Sequence, residues 1–519
     1  MKFRKIIIVL AVASAMFQTL EVSARSSKPR NILFIAVDDL KPILGCYGDT
    51  LIKTPNIDRL ADAGTVFLNN HCQQAVCGPS RASLMTGLRP DHTQVRDLKT
   101  RMRDMNPQVV SLPQYLRSQG YETAGTGKIY DPRCVDKQLD EPSWSIPYTR
   151  PHQLPYDSTF GKPVLGSYQG AEIRAVNNEA EKKGLKKYAD VKKFLVAHDA
   201  WPAVESADVP DGAYTDGAIA ADGIQLMKKL KREGKPFFLA VGFKKPHLPF
   251  VAPSKYWNLY KRDDFKTASF QGKTTNPVEA AYHNSSELRT YGGIPNFDSY
   301  SKDPAKHMST EKQKELIHGY YACTSYIDTL VGQLLDELKA LGLDKDTVIV
   351  LWGDHGWHLG DHGLWCKHTN FEQATRSPLI IVDPSLSGAK KTVSPSEFVD
   401  LFPTLCELAG VPVPGNLDGT SLVPVLKDPK ATVKEYAVSQ WPRGKTMGYA
   451  IRDGRYRYVE WFTRLNSTQP YDSDKIEGRE LYDYEKDPLE TKNLVDDPEY
   501  KAVVKKMNQR MQDFFKAQK

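Results

Sequence analysis

Acidic and imidazole side chains sit where short apolar runs stop. Asn31-Ile-Leu-Phe-Ile-Ala-Val37 ends in Asp38-Asp39, and Thr347-Val-Ile-Val-Leu-Trp352 ends in Gly353-Asp354-His355-Gly356. Adjacent carboxylates on a buried element repel unless a cation holds them. Three carboxylates and one imidazole suit a divalent ion that favours oxygen, Ca2+ or Mg2+. Singly, each Asp is explained as well by a helix cap or a turn. Two such groups at the ends of two runs are harder to explain that way. The segment Cys77-Gly-Pro-Ser-Arg-Ala-Ser-Leu-Met-Thr-Gly87 offers a nucleophile. A lone cysteine is ordinarily a small buried apolar residue. This one precedes Pro79 and Arg81 at a helix start, where anions are stabilised.

The elements that would position these groups follow from the apolar pattern. Phe237–Phe243 and Leu379–Val382 are further runs without alternation, as in strands covered by helices on both faces. In such sheets ligands sit at the carboxyl ends of the strands. Amphipathic segments lie between the runs: Thr215 to Glu233, and Ser309 to Leu341 with a Thr310-x-x-Gln313 capping box and a break expected near Gly319. Strands alternating with helices predict an α/β domain with a large mixed, mostly parallel sheet sandwiched by helices. After residue 430 come short aromatic-rich segments, a turn at Arg452-Asp-Gly-Arg455 and a helix from Pro498 to about Phe515. These predict a small α+β subdomain with an antiparallel sheet. The expected divisions are a signal peptide over 1–24, a catalytic domain over 25–428 and the subdomain over 429–519. Polar, Pro/Gly-punctuated residues 250–308 are expected to form loops around a site.

Composition excludes several classes. With 519 residues, 40% hydrophobic and 26% charged, the chain is neither disordered nor fibrous. A net charge of +7 is too weak for this size to argue for nucleic acid. The lysines at 182, 183, 186, 187, 192 and 193 read as a solvated helix face. Lys2, Arg4 and Lys5, the apolar stretch Ile6 to Phe17 and Val22-Ser23-Ala24 have the form of an export signal. The expected location is therefore the periplasm or the medium. Seven cysteines are an odd number, so at least one is outside any intramolecular disulfide.

The segment from Cys77 matches every fixed position of Cys-x-Pro-Ser-Arg-x-x-x-x-Thr-Gly, and here the sequence resembles the sulfatase family of the alkaline phosphatase superfamily. The likeness continues through Val37-Asp38-Asp39-Leu40, Thr54-Pro-Asn-Ile-Asp-Arg-Leu60, Gly127-Lys128, Pro246-His247-Leu248-Pro249, Gly353-Asp354-His355-Gly356, Trp365-Cys366-Lys367 and Glu480-Leu-Tyr-Asp483. It is strongest to iduronate-2-sulfatase-type enzymes, in Val241–Phe250, Gly353–Gly363 and Lys367–Phe371. The resemblance implies an alkaline phosphatase-like fold and oxidation of Cys77 to formylglycine by a formylglycine-generating enzyme. It also implies a calcium ion held by Asp38, Asp39, residue 77, Asp354 and His355. Arg81, Lys128 and Lys367 would then spread charge on the sulfuryl oxygens, and His247 would protonate the leaving alcohol. His358 and His362 are candidates for substrate contact.

One position departs from the pattern. Asp131 stands where the uronate-directed enzymes have histidine. It could serve as a base, or it could face the pocket mouth and disfavour acidic sugars; the second role is the expectation. The reaction implied is sulfate ester hydrolysis on a sulfated polysaccharide or oligosaccharide, such as ulvan or a glycosaminoglycan. The alternatives are a formylglycine-dependent phosphoester or phosphonate hydrolase, and a non-catalytic carbohydrate-binding protein. Mass spectrometry of the Cys77 peptide from active protein should find an aldehyde. Full activity with only thiol at that position would remove the formylglycine mechanism.

Overall fold

The computed structural model describes residues 30–463 and 472–518. The expected export signal lies outside the described residues. A seven-stranded sheet forms the centre, in the order Lys390–Thr392, Thr65–Phe67, Leu379–Val382, Thr347–Gly353, Asn31–Val37, Phe237–Phe243 and Glu122–Gly127. The last four strands run parallel to one another. Leu379–Val382 is antiparallel to both its neighbours. The sheet is therefore mixed and mostly parallel, as the sequence predicts.

The unbroken apolar runs have a simple cause: alternate side chains feed two different cores. Leu33, Ile35 and Val37 enter a core on one face, while Ile32, Phe34 and Ala36 enter the other. All six are fully buried. Leu239 and Val241 divide from Phe238 and Ala240 in the same way. The first core is closed by helices Pro55–Ala63, Thr215–Glu233 and Thr310–Ala340, and the second by Cys77–Thr86, Leu112–Ser118 and Leu401–Ala409.

Two sequence expectations for the long helix need correction. The cap is Ser309, one residue earlier than expected, and its hydroxyl accepts from Lys312 N at 3.3 Å. The helix also runs through Gly319 without a break. That glycine is there for proximity: a Cβ would lie 2.9 Å from Phe250 Cβ and 2.9 Å from the Trp257 ring.

The C-terminal unit is a four-stranded antiparallel sheet in chain order, Ala437–Arg443, Thr446–Arg452, Tyr456–Thr463 and Ile476–Asp483. Helix Lys501–Ala517 lays Met507, Met511 and Phe515 on one face, against Tyr449, Ile451 and Tyr458. The other face, with Ala450, Val459, Trp461 and Tyr482, packs on Val76, Leu364 and Phe371 of the main unit. The small sheet therefore buttresses the residue next to Cys77 and the segment leading to Lys367. Gln440 N also donates to Gln73 O at 2.7 Å, which ties the chain entering the Cys77 helix to this sheet. None of the seven cysteines is in a disulfide, and all but Cys46 are buried.

Gly319→Val should destabilise the protein by about 1–3 kcal/mol through overpacking against Phe250 and Trp257. Denaturant unfolding measures this, and an unchanged midpoint would mean that the contact has slack.

Candidate active site

Four adjacent parallel strands end at one place, and each delivers chemistry there. Asn31–Val37 ends in Asp38-Asp39, Thr347–Gly353 in Asp354-His355, Glu122–Gly127 in Lys128, and Phe237–Phe243 leads to His247. The ladder carries on just past the strand ends, with Asp38 N donating to Phe243 O at 3.1 Å and Lys128 N to Gly242 O at 2.7 Å. Asp39 then turns sharply, with φ at 60°. Its amide donates to Asp354 Oδ1 at 2.9 Å, and its carbonyl accepts from Tyr320 Oη at 2.6 Å. Gly242 is required for close approach, since a Cβ there would meet the Lys128 backbone at 2.2 Å.

Helix Cys77–Thr86 explains its own motif. Cys77 is its first residue, and Gly87 ends it in the left-handed region at φ 68°. A Cβ on Gly78 would meet Cys134 Sγ at 2.5 Å. Ser80 donates to the Asp354 carbonyl at 2.5 Å, and Thr86 Oγ1 to Ala82 O at 2.7 Å. Arg81 is fully buried. Its Nε donates to Asp354 Oδ2 at 2.9 Å, Nη2 to Asp38 Oδ1 at 3.0 Å, and Nη1 to the carbonyls of Lys128 and Ile129. One guanidinium thus joins three strand ends.

The remaining charges interlock. Lys128 Nζ lies 2.5 Å from Asp38 Oδ2. Lys367 Nζ lies 2.9 Å from Asp39 Oδ2 and 3.0 Å from Glu287 Oε1. His247 Nε2 is 3.3 Å from Glu287 Oε1 and 3.8 Å from Asp39 Oδ2. Burial would raise the Asp38 carboxyl, but Lys128 and Arg81 overcome it and hold that carboxyl well below its usual range. Burial wins at Asp39 and lifts it to about 7 against Lys367, with the charge on Asp38 adding to the rise. The Cys77 thiol is pushed well above its usual value, by burial and then by Asp38. Burial, and then Lys367, lower His247 to about 4.

Asp39, Cys77, Asp354 and His355 place ligand atoms within 4.8 Å of one another, and so do Asp38, Asp39, Cys77 and His247. His355 Nδ1 is 2.9 Å from Gly356 O and donates to it. Its Nε2 lies 3.2 Å from Asp39 Oδ1, 3.6 Å from Asp354 Oδ1 and 3.6 Å from Cys77 Sγ. Carboxylate oxygens, an imidazole nitrogen and the residue 77 side chain gathered around one point are a ligand set that fits a divalent ion.

A cavity of about 1140 Å³ opens over this centre, lined by Asp38, Cys77, Lys128, His247 and Lys367 among others. It is larger than the roughly 300–1,000 Å³ typical of small-ligand pockets. Glu287 also lines it, and the sequence offered no motif to single this residue out. Asp131 lines the cavity as well, but its carboxylate is engaged. Arg133 Nε donates to it at 2.9 Å and Nη2 at 2.7 Å. Burial would raise the Asp131 carboxyl, yet Arg133 and Lys128 bring it down to about 2.

His358 and His362 are not placed with the others. Both are buried and neither lines the cavity. His358 Nε2 pairs with Thr369 Oγ1 at 2.9 Å, and His362 stacks on Phe371 with ring centroids 4.1 Å apart. The structure thus places both rings away from the cavity, packed into the segment that carries Lys367. Their position just after the metal-type turn made them candidates, but the loop turns their rings inward.

Comparisons with known proteins give the family. A family model described as Sulfatase matches residues 30–411, and one described as N-sulphoglucosamine sulphohydrolase, C-terminal, matches residues 360–517. Iduronate 2-sulfatase of Homo sapiens is 32% identical over 530 residues, covering 90% of this chain and 91% of its own. A protein named Sulfatase from Formosa agariphila is 30% identical over 497 residues, covering 93% and 86%. A solved structure in complex with its substrate D-glucosamine-2-N,6-O-disulfate matches with a TM-score of 0.69 at 20% identity, covering 94% of this chain and 99% of that one. The phosphonate monoester hydrolase of Agrobacterium radiobacter matches at 0.67 and 22% identity, covering 94% and 96%. These two structures share the fold, which hosts more than one reaction. The family model covers most of the chain, and the chain belongs to the sulfatase family. It is a sulfuric ester hydrolase.

Arg81→Met should leave Asp38 and Asp354 buried without their shared cation. Removing one partner of such a group costs about 3–5 kcal/mol. Equilibrium unfolding should register that loss together with loss of sulfatase activity. A variant of wild-type stability would mean that Lys128 alone balances these carboxylates.

Proposed function

We propose that the protein is an exported, formylglycine- and calcium-dependent sulfatase that removes sulfate from a sulfated carbohydrate. The observation that carries this reading is the convergence of Arg81, Lys128 and Lys367 on the carboxylates beside Cys77, at a large cavity lined also by Arg133, Lys137 and Arg150. The relatives support a carbohydrate substrate: they include a delta 4,5-hexuronate-2-O-sulfatase and an N-acetylglucosamine-6-O-sulfatase of Bacteroides thetaiotaomicron. Export rests on residues 1–24, and no helix among the described residues is long and apolar enough to cross a membrane.

The state of Cys77 favours maturation. A thiol whose ionisation is strongly opposed by burial and by Asp38 is a poor nucleophile as it stands. Conversion to formylglycine by a maturation enzyme would supply a hydroxyl nucleophile at the same position. Asp38, Asp39, Asp354, His355 and residue 77 would hold the calcium, which would polarise a sulfate oxygen and the nucleophile.

The chain's own groups account for the rest. Lys128 and Lys367 stand on opposite carboxylates, Asp38 and Asp39, so their ammonium groups flank the place where sulfuryl charge grows. His247 Nδ1 lies 2.6 Å from Leu248 O, and donation there leaves Nε2 as the atom that faces the site. Glu287 Oε1, 3.3 Å away, accepts from Nε2 when that atom carries a proton. Burial and Lys367 disfavour that proton in the free protein, so the acid role requires the bound anionic ester and Glu287 to restore it. Nε2 would then pass it to a departing sugar oxygen, which an unactivated alcohol needs.

Sulfate release from a panel of defined sulfated oligosaccharides tests the reading. Turnover of at least one sugar sulfate is expected, and activity confined to phosphate or phosphonate esters would overturn it. His247→Gln should lower kcat on a sugar sulfate by about 10²–10⁴-fold. It should cost far less on 4-nitrophenyl sulfate, whose leaving group needs no proton. Equal losses on both substrates would assign His247 to binding instead.

A further inference from the structure

Asp131 and Arg133 form a unit whose outward character is opposite to that of Asp131 alone. The Asp131 side chain is fully buried, while Arg133 is 53% exposed. The carboxylate takes the Nε and Nη2 side of the guanidinium at 2.9 and 2.7 Å, and its Oδ1 also accepts from Arg133 N at 3.0 Å. Cys134 N donates to Asp131 O at 2.9 Å and closes the turn around Pro132. Both ends of the arginine are therefore fixed before any ligand arrives. A guanidinium has five N–H donors in a rigid fork. With the Nε side taken, the Nη1–Nη2 edge keeps two parallel donors, a spacing that matches the two oxygens of a carboxylate or sulfate. Arg133 lines the cavity that holds Cys77, and Lys137, Arg150 and His152 line it too.

We propose that Arg133, clamped by Asp131, is a specificity residue that binds a second anionic group on the substrate, a carboxylate or a further sulfate on the sugar next to the ester being cleaved. This rests on the sulfated-carbohydrate reading above and narrows it to acidic sugars. The expectation that Asp131 repels such sugars is reversed: its charge is spent on Arg133, and the surface that faces substrate is cationic. Asp131 is the positioning residue, because it holds the fork in the orientation that leaves the outer edge free. A preorganised arginine loses little freedom on binding, so the contact should appear mainly as affinity.

The experiment compares four forms of the full-length matured enzyme: wild type, Arg133→Gln, Arg133→Lys and Asp131→Asn. The substrates are a 2-O-sulfated uronate disaccharide, the same disaccharide with its carboxyl reduced to an alcohol, and a neutral disaccharide carrying two sulfates. Arg133→Gln should raise KM about 10- to 100-fold on at least one of the two doubly anionic sugars, with kcat within about twofold. It should change neither constant on the reduced sugar. Arg133→Lys keeps the charge without the fork and should recover part of the loss, and Asp131→Asn should fall between wild type and Arg133→Gln. A rise on the uronate identifies a carboxylate, and a rise on the disulfate identifies a sulfate. Equal losses on all three sugars, or none on any, overturn the inference while the sulfatase reading stands. A wild-type enzyme that turns over none of the three, yet cleaves aryl sulfates, overturns the carbohydrate reading and this inference with it.

Discussion

Three carboxylates packed against one another at the ends of two neighbouring strands set the terms for the rest of the structure. Asp38, Asp39 and Asp354 are each at most 1% exposed. Buried like charges are costly unless paired. The main chain cannot relieve this, because Asp38 and Asp354 are fixed by adjacent parallel strands in register. Three cations are placed in answer to it: Arg81 spans Asp38 and Asp354, Lys128 takes Asp38, and Lys367 takes Asp39. Those are the groups that a sulfate ester would meet. On the proposed function, the charges that make the fold tolerable would thus also bind the reacting group.

The supporting parts can be ordered by how directly they serve this centre. The sheet brings four strand ends together. The Cys77 helix carries Cys77, the proposed nucleophile position, and Arg81 on successive turns, so one rigid element sets both. The C-terminal sheet packs on Val76 and Leu364 and hydrogen-bonds Gln73, which keeps that helix and the Lys367 loop from shifting. The small subdomain is therefore part of the site's frame, although among the cavity-lining residues named above none comes from it.

The parts of this design that could be read in sequence are those with a strict local cause. Doubly buried strands must be apolar at every position, so Asn31–Val37, Phe237–Phe243, Thr347–Gly353 and Leu379–Val382 stood out. Thr65–Phe67 and Lys390–Thr392 did not, being three-residue strands at one side of the sheet, the outer one rich in lysine. Ile476–Asp483 escaped notice as a strand because its first half is partly exposed and polar. The metal-type carboxylates, Cys77, Arg81, Lys128, His247 and Lys367 were found through motif spacing, and they do converge. Glu287 lies in an irregular loop, and only tertiary folding brings it to Lys367 and His247. His358 and His362 show the opposite error, since nearness in sequence to Asp354 said nothing about which way the rings point. The role first assigned to Asp131 failed to anticipate a partner two residues away.

The central claim is that the three carboxylates, with His355 and residue 77, form a cation site that Arg81, Lys128 and Lys367 balance without filling. Anomalous diffraction from crystals of the matured protein, collected after soaking with a heavier divalent analogue of calcium, tests it most directly. The account predicts one peak per chain, within coordination distance of oxygens from Asp38, Asp39 and Asp354. A metal-saturated crystal with no density there, and those carboxylates bonded only to the arginine and lysines, would contradict it.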